Sequence, residues 1–163
     1  MKKNSFCLLL TIVFVLCGVL SVDSFASDHP LFAAEQTGCF TYYYEDGSTL
    51  TISTAESLLR GNASYGTKHG TRTYTKTNSN NITVWSATLD AYFEYTGTSA
   101  LCTSASCPIS IYDSSYSVSS KTVTRNGNQA SCTFTIVQKI LGITVGSETH
   151  TITLSCDPFG NLY

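Results

Sequence analysis

The sequence has few ionisable side chains, and this scarcity excludes several classes of function. Charged residues make up 12% of its 163 residues, about half the usual share for a soluble domain. A nucleic-acid-binding protein needs a basic stripe that displaces phosphate counterions, and a peripheral membrane protein needs a basic patch. Nine lysines and arginines against eleven aspartates and glutamates, without a charge run, provide neither. We therefore expect no nucleic-acid partner and no membrane partner for the mature chain.

Catalytic motifs are equally scarce. The nucleophile-elbow pattern Gly-x-Ser-x-Gly and glycine-rich phosphate loops do not occur. Of the three histidines, His29 falls near the expected mature N-terminus, His69 in a polar stretch, and His150 on the apolar side of a predicted strand, where we expect a structural role. Asp90 and Glu94 share a strand face, but roughly 13 Å between their Cα atoms exceeds the usual glycosidase spacing. The sequence predicts no enzyme and no catalytic residue.

Metal-ligand patterns are weak as well. Cys102 and Cys107 have four residues between them, without the second close pair that a structural zinc site requires. The acidic residues Asp46, Asp113 and Asp157 fall in turns that lack the dense ligand loop of a calcium site. We predict no metal and no cofactor.

The N-terminus has the pattern of a secretory signal peptide. Two lysines precede an apolar run, Phe6 to Leu20, which is too short for a stable membrane span, and small residues follow at Ser24 and Ala26. We expect cleavage after Ala26, with an uncleaved anchor as the alternative. The remaining 137 residues carry seven basic and ten acidic side chains, a net charge of −3. The predicted location of the mature chain is secreted and extracellular.

Five cysteines remain after this cleavage, and an oxidising compartment favours their pairing. They are Cys39, Cys102, Cys107, Cys132 and Cys156. The simplest outcome is two disulfides and one thiol, although sequence alone leaves the connectivity open. The preferred pair is Cys102 with Cys156, because closing a loop of 53 intervening residues stabilises by roughly 4 kcal/mol on the loop-entropy model. The second pair is Cys107 with Cys132.

Alternation of apolar and polar residues predicts an all-β chain. From Thr83 to Tyr95 every second residue is apolar or aromatic, which is the period of a long, half-buried strand. Residues 147–156 alternate in the same way, with threonines on one face. Asp46-Gly47 and Asn126-Gly127 stand between β-rich runs and favour hairpin turns. Short strands with one apolar face need a covering sheet, so we predict an immunoglobulin-like β-sandwich, with a small β-barrel as the alternative.

The remaining segments complete the predicted organisation. Residues 27–38 are expected to form a loose N-terminal segment, and residues 39–163 a single β-sandwich domain. A helix-capping pattern that begins at Thr54 predicts a short helix over residues 54–60. Residues 61–82 are rich in Thr, Ser, Asn, Gly and Lys, which predicts a polar excursion or a pair of edge strands.

Tyrosine is the most informative abundant residue, with ten copies against one tryptophan. Tyrosine rings offer a large, rigid contact area with a polar tip, which suits binding to protein or sugar surfaces. Tyr42, Tyr44 and Tyr92 are the predicted binding residues, and strand alternation turns Tyr43 away from its two neighbours. The alternative is that strands simply favour tyrosine.

Three motifs carry a resemblance to other proteins: YTGTSALCTSAS at residues 95–106, LGITV at 141–145 and TITLSCD at 151–157. Together they resemble small secreted β-proteins of Gram-positive, clostridia-like bacteria. The resemblance covers about the last eighty residues and implies the fold and the compartment but no activity. It also implies the pairing of Cys102 with Cys156, since both lie inside the matching motifs.

These observations predict a secreted, non-catalytic β-sandwich that binds an extracellular glycan or protein through a tyrosine- and hydroxyl-rich sheet face. One alternative is a secreted toxin or bacteriocin-like effector, suggested by small size, export and cysteines. A small secreted hydrolase is a further alternative, motivated only by His150 and the carboxylates.

Overall fold

A computed structural model describes residues 32–36, 38–61 and 64–163, and the regular secondary structure of that part of the chain is entirely β. The expected signal peptide, residues 1–26, lies outside the described residues. The strands are β1 (Phe32–Gln36), β2 (Cys39–Tyr43), β3 (Thr49–Gly61), β4 (Gly66–Thr77), β5 (Thr83–Tyr95), β6 (Ala100–Ser106), β7 (Ile109–Ile111), β8 (Tyr116–Asn126), β9 (Gln129–Ile140) and β10 (Ile143–Ser155). In these ranges no helix has the length and apolar character needed to span a membrane.

The strands form two antiparallel sheets whose order follows the chain. In the large sheet β1 to β6 lie side by side, and the short β7 pairs with β5 along the same edge as β6. In the small sheet β9 lies between β8 and β10. The two sheets pack against each other around one apolar core. An all-β fold of two antiparallel layers, as in a β-sandwich, is therefore confirmed.

The core lies where the predicted alternation placed it. In β5 every second residue from Trp85 to Phe93 is fully buried, as are Phe134 and Ile136 of β9 and Ile152 of β10. The rings of Trp85 and Phe134 meet edge to face, with centroids 5.7 Å apart. Burial of side chains of this size stabilises by roughly 1.5–3 kcal/mol each.

Both predicted hairpin turns are present. Gly47 has a φ of 80° and Gly127 a φ of 56°, a left-handed conformation that glycine adopts without steric cost. At the first turn, a carboxylate oxygen of Asp46 accepts a hydrogen bond from the backbone N–H of Ser48 at 2.8 Å. These turns set the registers of β2 with β3 and of β8 with β9.

The helix predicted over residues 54–60 is wrong, because these residues lie inside β3. That strand pairs with β4 along almost its whole length and with β2 over its first five residues. Pairing with β4 satisfies the backbone N–H and C=O groups of residues 54–60 that face β4, whereas an isolated helix of one or two turns is unstable in water. Within residues 27–38, predicted as a loose N-terminal segment, Phe32–Gln36 forms β1 and pairs with β2.

Residues 61–82, predicted as a polar excursion or a pair of edge strands, contain β4 (Gly66–Thr77), which is an interior strand between β3 and β5. Threonines occupy one face of β4, and the long side chains of Arg72, Tyr74 and Lys76 point toward the small sheet. Arg72 Nη1 donates to the backbone carbonyl of Thr153 at 2.6 Å. The Tyr74 hydroxyl donates to the backbone carbonyl of Thr151 at 3.4 Å. Both acceptors belong to β10, an edge strand whose outward carbonyls would otherwise lack protein partners.

Candidate functional site

The tyrosines predicted to bind do not share one surface. Tyr42 and Tyr44 are half-buried and pack against the core, whereas Tyr43 is 37% exposed and Tyr92 is 36% exposed. We call the side of the large sheet that faces away from the small sheet the outer face. The cross-strand register places Tyr43 and Tyr92 on it. The alternation was correct, but Tyr43, rather than its two neighbours, shares the outer face with Tyr92.

The most organised feature of the outer face is a group that we call the Tyr92 cluster, made of Tyr92, His69 and Asp90. Pairing of β4 with β5 sets His69 opposite Tyr92, and their rings stack with centroids 4.5 Å apart and an interplanar angle of 26°. His69 Nε2 lies 3.1 Å from Asp90 Oδ2. The sequence placed His69 in a polar stretch without a partner. Only the register of β4 against β5 brings the cluster together.

Paired hydroxyls continue along the outer face from this cluster toward the other end of β4. Threonine Oγ1 atoms meet across neighbouring strands at 3.2, 2.7 and 3.0 Å, in the pairs Thr41–Thr51, Thr49–Thr77 and Thr73–Thr88. Such cross-strand pairs stabilise a sheet and hold the hydroxyls in fixed positions. The outer face is therefore polar and rich in hydrogen-bonding groups.

A second candidate region is a cavity of about 280 Å³ between the sheets, lined by Asp46, Lys76, Tyr116 and Glu148 among others. Lys76 is 5% exposed. Its ammonium lies 3.6 Å from Glu148 Oε1 and 3.6 Å from the centroid of the Tyr44 ring. Because a buried charge requires a partner, this ion pair and cation–π contact explain how a lysine occupies the inner layer.

Glu148 also contacts His150, whose Nε2 lies 3.1 Å from Glu148 Oε2. Burial on its own would raise the pKa of Glu148, but the hydrogen bond from His150 and the charge of Lys76 outweigh burial and hold that pKa below its usual value. The His150 ring packs near Trp85 and Phe134, with centroids 5.2 and 5.5 Å away. The carboxylate therefore fixes the orientation of a partly buried imidazole.

Two buried polar atoms of the described residues have no hydrogen-bond partner in the structure, Ser48 Oγ and Trp85 Nε1. Ser48 lines the cavity beside Lys76. An unpaired buried hydroxyl costs free energy unless a ligand or water satisfies it. The cavity thus combines an ion pair with a hydroxyl available to a small polar molecule.

The cysteines occupy the other end of the inter-sheet layer. The four with predicted partners, Cys102, Cys107, Cys132 and Cys156, are buried in the core, and Cys39 is half-buried at the start of β2. All five are thiols in the structure. Among the residues that the structure describes, no group of three or more His, Cys, Asp or Glu side chains could hold a metal ion.

Comparison with known proteins yields a weak structural likeness. No protein-family model and no curated protein matches the sequence. The match is to a crystal structure of a hypothetical protein from Listeria monocytogenes EGD-e, with 17% sequence identity and a TM-score of 0.43. It covers 82% of this chain and 94% of the Listeria chain.

Proposed function

We propose that the chain is an exported, non-catalytic β-sandwich protein that binds an extracellular partner through the outer face of its large sheet. The Tyr92 cluster is the observation that carries this proposal. It places an exposed ring, an imidazole and a carboxylate side by side on a rigid pair of strands. Such a group offers apolar contact area together with hydrogen-bond acceptors and donors.

The chemistry of the outer face favours a glycan over a protein as the partner. The core of a protein–protein interface is usually apolar. Along the outer face, threonine hydroxyls predominate instead. A sugar presents hydroxyls that such side chains can bind, and its apolar ring face can stack on Tyr92.

The test measures binding of the mature chain, residues 27–163, to a glycan array and to purified cell-wall polysaccharide. Tyr92→Ala should weaken binding by about thirtyfold, the loss typical of a residue that anchors an interface. Tyr163→Ala is the matched control, because Tyr163 is also well exposed but lies at the chain end beside the small sheet.

Each outcome bears on a different part of the proposal. Equal glycan binding by Tyr92→Ala and the wild-type protein would remove the outer face as the site. Binding to cell-surface proteins, with no glycan bound, would change the partner class. Turnover in a broad hydrolase screen would contradict the non-catalytic assignment and revive the hydrolase alternative.

A second candidate function, the toxin or bacteriocin-like effector, is favoured by the tip of the β9–β10 hairpin. Four aliphatic residues there are more than half exposed, and Leu141 reaches 98%; they are Ile140, Leu141, Ile143 and Val145. An apolar projection of this kind typically marks a protein or membrane contact. This function would be supported if the wild-type protein inhibits the growth of related strains and Leu141→Glu abolishes that inhibition.

The immunoglobulin-like relation also stays a prediction. Two packed antiparallel sheets support it, whereas strand order that follows the chain in both sheets differs from the Greek-key connections of immunoglobulin domains.

A further inference from the structure

Cys107 and Cys132 meet across the two sheets. Cys107 follows β6 at the edge of the large sheet, and Cys132 lies in the central strand of the small sheet. The Cys132 thiol lies near enough to Cys107 to help raise its pKa, and Cys107 and Cys132 are 3% and 0% exposed. Lys121 of β8 fixes the backbone here, because its Nζ donates to the Cys107 carbonyl at 3.1 Å. A bond between these sulfurs would join the large sheet to the small one.

Cys102 and Cys156 meet at the turn between β8 and β9. The backbone N–H of Cys102 donates to the Gly127 carbonyl at 2.8 Å, and that of Cys156 donates to the Asn128 carbonyl at 3.0 Å. Two consecutive carbonyls of one turn thus hold both cysteines. Each thiol now donates to a nearby backbone carbonyl at 3.4 Å, so the side chains must rotate before these two sulfurs can bond.

We propose that Cys107 and Cys132 are an oxidative modification site, linked by a disulfide that joins the two sheets, and that Cys102 and Cys156 form a second disulfide. Cys39 remains a thiol, because it lies at the start of β2 and outside the core cluster that contains the other four. The inference relies on the proposed export only for the supply of oxidant.

The chemistry of each bond is thiol–disulfide exchange. A small disulfide, or the disulfide of an oxidoreductase, accepts two electrons and two protons from the cysteine pair and becomes two thiols. The chain loses one hydrogen from each sulfur and gains one S–S bond. Two such bonds make the chain lighter by four hydrogen atoms.

Burial determines when this exchange can happen. The attacking species is the thiolate, and burial, followed by the nearby Cys132 thiol, raises the pKa of Cys107 to about 12. Burial likewise raises the pKa of Cys156 to about 11. These thiols are almost fully protonated at neutral pH in the folded chain. The bonds therefore form while the chain folds, and the closed sheets then shield them.

The first experiment expresses the full chain in an exporting host, then denatures and alkylates the exported protein without a reductant. Mass spectrometry should find Cys39 alone alkylated, with cross-linked peptides that join Cys107 to Cys132 and Cys102 to Cys156. Exported protein with five alkylated cysteines would overturn the inference. Protein retained in the cell with residues 1–26 attached would contradict export alone, since the second experiment reads the pairing independently.

The second experiment refolds the reduced chain with oxidised glutathione. The same cross-links should form, at least tenfold faster during refolding than in folded, reduced protein at pH 7. Cys107→Ser should leave Cys132 open to alkylation and keep the Cys102–Cys156 bond, while the matched control Cys39→Ser changes neither cross-link. Cross-links between other partners, such as Cys102 with Cys107, would overturn the assignment.

Discussion

The two ends of the layer between the sheets are closed by different chemistry. At one end, Lys76 and Glu148 form an ion pair beside the Tyr44 ring. At the other end, Cys102 and Cys156 lie beneath the β8–β9 turn. Glu148 and Cys156 stand eight residues apart, roughly 27 Å along an extended strand. The ionic end responds to pH and the cysteine end to redox potential, so the sandwich has two independent points of weakness.

Removal of the buried lysine is expected to have the largest effect on the ionic end. Lys76→Met leaves the Glu148 carboxylate without its cation and removes the contact with Tyr44. Loss of one partner of a buried ion pair typically lowers the free energy of unfolding by about 3–5 kcal/mol. Urea unfolding followed by tryptophan fluorescence measures this loss, since Trp85 lies in the adjoining core.

Two further variants test the cause of that loss. Lys139→Met removes an exposed lysine and should stay within about 0.5 kcal/mol of the wild type. The double variant Lys76→Met with Glu148→Gln should recover part of the lost stability, because no uncompensated charge then remains. A double variant as unstable as Lys76→Met would mean that the lysine stem, rather than its charge, matters.

Loss of the one cross-link that joins the two sheets should weaken the cysteine end somewhat less. The proposed Cys107–Cys132 bond closes a loop of 24 intervening residues, so its reduction should lower the free energy of unfolding by roughly 3 kcal/mol. Unfolding of the variant Cys102→Ala with Cys156→Ala, with and without reductant, measures this difference, and adding Lys76→Met should leave the difference unchanged. Identical wild-type curves under both conditions would show that this end carries no cross-link.

Protonation of Glu148 at the ionic end is expected to have the smallest effect. Because the folded-state pKa of Glu148 is lowered, its contribution to stability is complete above the ordinary glutamate value near 4.5 and is lost as pH falls through the folded pKa. Glu148→Gln should flatten the stability profile between pH 5 and 3. A profile unchanged by Glu148→Gln would contradict the assignment.

Sequence reasoning succeeded where one face of a strand is apolar and the other polar. The alternation in β5 predicted a half-buried strand, and the glycines at positions 47 and 127 predicted two hairpin turns. The same reasoning predicted the paired layers. In each case the signal is local, because side-chain alternation and left-handed turn residues act within a few positions of the chain.

It failed where polar side chains take the place of apolar ones. The inner face of β4 carries Arg72, Tyr74 and Lys76, whose polar ends bind β10, so its composition resembled that of a loop. A threonine at every second position from 71 to 77 was the available signal. The Tyr92 cluster and the Lys76–Glu148 pair depend on contacts between distant segments, which no local pattern encodes.

The chain-following order of the strands also bears on how the molecule forms. β7 docks beside β5 and β8 begins the small sheet. Every other new strand docks beside the one made just before it, so only a short connection is closed each time and the entropy cost of each step is limited. When the polypeptide is synthesised from its N-terminus, the large sheet can therefore form one hairpin at a time. Only the layer between the sheets must wait for the last three strands.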